Sequence, residues 1–516
     1  MSARIKPQNA SNDVPLTILP PAKQKERSGS QNSSVGEMKN GEYVRGKGLH
    51  WITAALIMVG DMAGGSVKTG FIICALITVI STVSAIYLGI CWRILVRNWP
   101  EYREHTRKPY AEIAGNAIGP VAKLMASLSV NITQFGIVVV YFLLSARNIH
   151  DWLSTYFPHI PGPCVWVLVM GAMQVLLRFS TDYSFFCSMY PVSFLKSPED
   201  FWWAIVISML CTLAAVVLVI TGSFIDYDVC HAASIQADVR MHNVFLGMGT
   251  VVFAWGGHST FPSIQHDMRK PRDFTYTAFL AFSIVTVFYL AVISAGSFTY
   301  GSSKRDSIIN SLQTPWIQQT VNVLIAVHCL LAILIMANPL QQEAEELFKI
   351  SQRFGVQRVL VRSGVLFLIL FVAESVPNFG PVIDLLGAST FTLTGVIFPS
   401  LFYCFLHARE QKLLEGKDEG PIGFMEMIRR NKWYTLLFTA FVFLLGAFCG
   451  TLASVAAVGE LVAARFQMPC YLRFFFHHEA NGTLTSTNCC GIFQNVTVGG
   501  HDPRDFCNVP NLRYYG

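Results

Sequence analysis

The chain has 516 residues, of which 52% are hydrophobic and only 14% charged, with a formal net charge of +6. Soluble domains carry about 25% charged residues, so the polar surface that a cytosolic enzyme, a nucleic-acid binder or a disordered scaffold needs is missing. Several nearly uncharged runs of about 20 residues are each long enough to cross a bilayer as a helix, and the chain reads as an all-α polytopic membrane protein.

Residues 1–48 are rich in Ser, Asn, Gln, Pro and Lys/Arg, without an apolar period, and are expected to form a disordered cytoplasmic tail. The first long apolar run starts near Leu49 and is expected to serve as its own uncleaved insertion signal. A transmembrane domain over 49–464 follows, with apolar segments at 49–67, 70–95, 121–146, 163–180, 201–222, 243–262, 274–299, 316–340, 359–376, 380–406 and 434–459. Eleven crossings put the termini on opposite sides. With the N-terminus inside, about 29 of the 38 Lys and Arg fall on the cytosolic side, as the positive-inside rule requires. Basic loops such as 99–110 follow from that rule and imply no nucleic acid.

Residues 465–516 then form an extracellular or luminal tail holding Cys470, Cys489, Cys490 and Cys507, with Cys230 in an earlier loop on the same side. All five are disulfide candidates in an oxidising compartment, and the four tail cysteines allow three connectivities. Asn481 and Asn495 are glycosylation sequons in that tail; Asn9, Asn32 and Asn131 also match but fall in the cytosol or within a span. His477, His478 and Glu479 read as a solvated loop and not as a metal site.

In lipid every backbone N–H and C=O needs an internal partner, so a helix broken at membrane depth implies a protein-lined cavity. Two spans carry such breaks. The first has Gly60, Gly64 and Gly65 around Asp61 and Ala63; the sixth has Phe253 and Ala254 leading into Gly256, Gly257 and His258, with Pro262 beyond. Small residues also permit close helix packing. The two breaks stand five spans apart, however, the offset of an inverted five-plus-five repeat with one added helix. Unwound helices at that depth offer N–H groups to a carboxylate and carbonyls to an ammonium or cation.

The string FAWGGHSTFPSIQHDMRKPRDF (253–274), with VGDMAGG (59–65), SPEDFWW (197–203) and MANPLQQEAEEL (336–347), resembles the amino acid/auxin permease family. The resemblance covers most of 49–460. It implies eleven helices with a leucine-transporter-like core in which helices 1 and 6 are discontinuous. It also implies secondary uptake of amino acids, with small neutral ones expected, coupled to H+ or Na+ and needing no other cofactor. On this reading Gly60, Ala63, Gly64, Gly65, Phe253, Ala254, Gly256, Gly257, His258 and Thr133 form the substrate site, and Asp61, His258 and Asn338 are the coupling-ion candidates. Localisation would be the plasma or an endolysosomal membrane; the oligomeric state stays open.

The chain departs from that pattern twice. Gly65 and Phe71 are 6 positions apart, against 17 for the corresponding Gly257 and Phe274, so the outer half of helix one is short. Residues 174–190 interrupt a join that family members make directly. A non-transporting sensor with the same fold is therefore the alternative.

Among other polar residues in spans, Asn131, Thr133 and Gln134 are suited to lining a cavity or to helix–helix bonding. Asn338 and Pro339 are expected to break span eight, and His328 to be a bonded core histidine. Glu374 and Asp384 are expected at a hydrated outer edge. No Walker loop, nucleophile elbow, H-E-x-x-H or C-x-x-C is present, so the chain is not read as an enzyme.

Overall fold

Apolar runs that must satisfy their own backbone in lipid form helices, and the computed structural model is built from them. It describes residues 37–39, 42–44, 71–179 (without 105, 107, 158 and 159), 202–231, 241–300, 307–350, 355–416 (without 377 and 378), 420–463 and 470–473. All lie in one unit, Gly36–Gly516. The helices are α1 (Phe71–Asn98), α2 (Pro109–Ala117), α3 (Pro120–Ser154), α4 (Pro163–Phe179), α5 (Trp202–Cys230), α6 (Met241–Ala254), α7 (Phe261–Asp267), α8 (Phe274–Tyr300) and α9 (Pro315–Leu347). They continue with α10 (Val356–Ser375), α11 (Phe379–Leu386), a π-helical stretch Gly387–Ile397, α12 (Phe398–Leu414), α13 (Phe424–Arg430), α14 (Trp433–Ala463) and α15 (Cys470–Arg473).

Among the described residues, eight helical stretches are long and apolar enough to cross a bilayer, and α4 and α6 are shorter apolar helices. These ten match the second to eleventh expected spans; the first, 49–67, lies outside the described residues. Pro109, Pro120, Pro163 and Pro315 each begin a helix, where the missing N–H has no intrahelical role and φ is already helical. Helix α9 packs on α3 and α5, α12 on α1, and α14 on the π-helical stretch. Trp92, Phe142, Trp255, Phe274, Phe282 and Phe402 are fully buried between them. Val121, Phe279, Phe367 and Leu444 point outward, as a lipid-facing surface requires.

Several expectations are corrected. Within the tail read as disordered, Glu37–Lys39 and Glu42–Val44 pair antiparallel, Lys39 opposite Glu42; the Asn40-Gly41 dipeptide between them is the strongest short hairpin signal. Helix α9 runs unbroken through Pro339 to Leu347, its packing on α3, α5 and α10 outweighing the roughly 3 kcal/mol that an interior proline costs. Glu374 is not at a hydrated edge but 4% exposed. It stands beside a disulfide that joins Cys164, on the first turn of α4, to Cys470, which opens α15 (Cα–Cα 5.7 Å). Cys470 thus pairs outside the tail cysteines, and the ring of Tyr471 stacks on Phe371 of α10 (5.7 Å). Cys230 is buried at the end of α5 with Tyr300 and Leu312. Cys489, Cys490, Cys507, Asn481 and Asn495 lie outside the described residues, as do 180–190 of the inserted segment.

At the opposite end from that disulfide, ionic contacts tie the helix ends. Lys108 reaches Glu343 (2.8 Å) and Glu346 (3.2 Å) on α9, Arg97 pairs with Glu410, and Glu345 takes both Arg358 (2.8 Å) and Arg362 (2.5 Å). Burial pulls the Lys108 ammonium down, but the two glutamates outweigh it and its pKa is raised. Burial likewise pushes the Tyr102 phenol up to about 12.

Candidate functional site

The sixth span is broken where the sequence places the break. Helix α6 ends at Ala254, residues 255–260 form an irregular turn, and α7 begins at Phe261. Gly257 sits at φ +120°, backbone that L side chains rarely adopt. The turn is closed by N–H bonds from Gly256 to the Phe253 carbonyl (3.0 Å) and from Thr260 to the Gly257 carbonyl (2.9 Å). Pro262 falls in the first turn of α7, so it starts the second half-helix instead of kinking a continuous one. Among the described residues, no backbone donor reaches the Val252 and Ala254 carbonyls and no backbone acceptor takes the N–H groups of Gly257, His258 and Ser259. Residues 254–259 are nevertheless buried. Such groups are expensive to leave unmade in a dry interior, and both polarities needed by a zwitterion are present within six residues.

The walls come from three neighbours. A Cβ on Gly256 would lie 1.9 Å from the Phe391 ring of the π-helical stretch, and that ring packs on Phe253 (4.9 Å). Trp255 leans on Tyr289 of α8 (4.7 Å). His258 is 2% exposed and its Nε2 stands 3.0 Å from the Ser81 carbonyl of α1. An Nε2–H donating there leaves Nδ1 as the acceptor, and Nδ1 faces Gly395, where a Cβ would come within 3.0 Å.

The two half-helices are held by different partners. Below the break, Gln265 Nε2 donates to the carbonyls of Gly89 on α1 (3.0 Å) and Pro271 (2.8 Å). Above it, Thr250 donates to Asp384 of α11. A Cβ on Gly249 would meet the Asp384 carbonyl at 2.5 Å, and one on Gly387 the Gly249 carbonyl at 1.9 Å. Here backbone touches backbone, and Asp384 is partly buried, not simply hydrated.

The structure brings Phe253, Ala254, Gly256, Gly257 and His258 together. Thr133 is buried on α3 with its hydroxyl donating to the Ser129 carbonyl (2.7 Å), and no hydrogen bond among the described residues joins it to the break. Asn338 is buried on α9, whose main packing is on α3, α5 and α10. His328 is bonded to Ser208 and Thr212 (2.8 Å each). Gly60, Asp61, Ala63, Gly64 and Gly65 lie outside the described residues. Phe391, Gly395, Ser81, Thr250 and Asp384 were missed as site neighbours. The signal available was the run GASTFTLTG (387–395), unusually polar and glycine-bounded for mid-span.

A model of a family described as transmembrane amino acid transporter protein matches residues 63–418. Among curated relatives, amino acid transporter AVT1H of Arabidopsis thaliana is 26% identical, covering 63% of this chain and 72% of its own length. Amino acid transporter AVT1D of Arabidopsis thaliana is 24% identical over 59% of this chain and 53% of its own length. The vesicular GABA transporter of Caenorhabditis elegans is 23% identical over 61% and 64%, respectively. Among solved structures, the crystal structure of MhsT in complex with L-phenylalanine matches with a TM-score of 0.44 at 11% identity, covering 79% of this chain and 98% of that one.

Proposed function

Because the chain belongs to the transmembrane amino acid transporter protein family, we propose that it is a secondary active transporter of amino acids, small neutral ones first, working by alternating access around the break between α6 and α7. The observation that carries the proposal is the buried turn after α6, where the Ala254 carbonyl and the N–H groups of Gly257, His258 and Ser259 lie close together with no backbone partner among the described residues. Such N–H groups suit a carboxylate and such carbonyls an ammonium, and the packed rings of Phe253 and Phe391 make the adjoining wall apolar. The relatives support the substrate class, since they are amino acid transporters and a vesicular GABA transporter. Coupling is to H+ or Na+, and the membrane is the plasma membrane or an endomembrane.

The chain is oriented with its N-terminus in the cytosol and its C-terminus outside or in a lumen. The Cys164–Cys470 bridge supports this, because disulfides persist in oxidising compartments and the basic helix ends gather at the other face. Proteoliposome counterflow tests the function: labelled small neutral amino acids should enter vesicles preloaded with the same unlabelled compound. Absence of exchange for every amino acid would refute transport. The short spacing from Gly65 to Phe71 favours a second reading, a sensor that binds without moving its ligand. Saturable binding with no counterflow would identify it.

A further inference from the structure

We infer that Asp384 is the group that carries a coupling proton, loading it from the outer face and passing its state to the outer half of the broken helix through Thr250. The inference rests on the transport reading above and sharpens it.

Four observations converge on this carboxylate. It lies in the first turns of the tenth span, α11 with the π-helical stretch. An ionisable residue there is costly and functional by default. Among the described residues its one hydrogen bond is accepted from the Thr250 hydroxyl and no basic side chain forms an ion pair with it. Glu460 on α14, the helix packed against α11, is a second carboxylate whose charge acts on it. Finally, Gly249 and Gly387 let the backbones of α6 and the tenth span touch around Asp384, so nothing compressible separates the carboxyl from the half-helix that ends in the substrate turn at Ala254.

The surroundings hold few competing charges. The described turns of α6 from Val244 to Ala254 and the stretch Gly387–Ile397 contain none. Helix α14 contributes Glu460, and α3 brings Arg147, His150 and Asp151 only at its outer end, where Arg147 and His150 both contact Asp151. Asp384 is itself only partly buried.

The step is proton binding and release. Ionised, Asp384 accepts from Thr250. When a proton from outside water neutralises it, the Thr250 hydroxyl is released to its alternative acceptor, the Leu246 carbonyl of its own helix (3.4 Å). The tie between α6 and the tenth span is then loosened, and the proton leaves once the carboxyl faces cytosolic water.

The test uses the full-length chain in proteoliposomes with Asp384→Asn, which keeps the shape and removes the exchangeable charge. A gradient of about one pH unit, worth about 1.4 kcal/mol per proton, supports about tenfold accumulation by the wild type at one proton per substrate. D384N is expected to reach only equal concentrations on both sides while still exchanging labelled amino acid. Undiminished acid-driven accumulation by D384N, or accumulation by the wild type that follows a sodium gradient at clamped pH, overturns the inference. If D384N loses exchange as well, Asp384→Glu decides: restored acid-driven uptake with a displaced pH profile supports proton carriage, and an inert D384E overturns it. Loss of counterflow in the wild type itself would instead count against the transport reading.

Discussion

At the scale of single residues, the break depends on two glycines for different reasons. Gly257 is needed for its backbone, at φ +120°; Gly256 is needed for its missing Cβ, which would sit inside the Phe391 ring. Gly257→Ala should cost about 1–3 kcal/mol as backbone strain, with no second-site rescue from the ring. Gly256→Ala should cost a similar amount through overpacking, and Phe391→Ala in the same chain should recover much of it. Thermal unfolding of the two single variants and the double variant in detergent checks this: a coupling energy near zero between positions 256 and 391 contradicts the contact. His258, Gly256 and Gly257 were legible in the sequence because an imidazole and paired glycines stand out in an apolar span. Ser81, Phe391 and Gly395 were not, since a serine carbonyl, one more phenylalanine and one more glycine carry no mark of the partner they meet across the fold.

At the scale of elements, the ten later spans could be read from apolar length alone, because lipid leaves a long uncharged run little choice but helix. Interruptions were harder. Pro339 predicted a break that packing overrides, whereas the π-helical widening at Gly387–Ile397 arises where two backbones meet, a tertiary cause with no local sequence period. The hairpin of residues 37–44 had a legible Asn-Gly signal that the polar composition around it obscured. Between elements, Lys108 ties the start of α2 to α9. Its pKa is raised in the folded state, so the contribution of this tie is complete below the ordinary lysine value of about 10.4 and is lost as pH rises through the higher folded value. A Lys108→Met chain should therefore unfold slightly more easily than the wild type, by no more than about 1 kcal/mol. That difference should stay level from neutral to mildly alkaline pH and fade only at strongly alkaline pH. A difference already gone in mildly alkaline buffer would show that Lys108 is not the ionised partner.

At the scale of the whole molecule, the broken helix has different partners on its two sides: the turn is bonded to α1 through His258 and α7 to α1 through Gln265, and α6 to the tenth span through Thr250 and the Gly249–Gly387 contact. Those two partners also pack on each other, α12 on α1, so the break is fastened on both sides to one helix group. The Cys164–Cys470 bridge lies apart from it, fastening the stretch after α14 to the ends of α4 and α10. Peptide mapping without reductant should recover these two cysteines in one linked fragment, and Cys164→Ser should release the peptide containing Cys470. Recovery of Cys470 joined to a tail cysteine in the wild type would refute the pairing.

Those two sulfurs are 306 residues apart. At about 5–20 residues per second, a ribosome needs roughly 15–60 s to make the second after the first, and every later span must be threaded before they can meet. The bond therefore forms only after α14 has been made. A cell's quality control, or an experimenter with a thiol label, can use it as a certificate that α14 has arrived on the proper side.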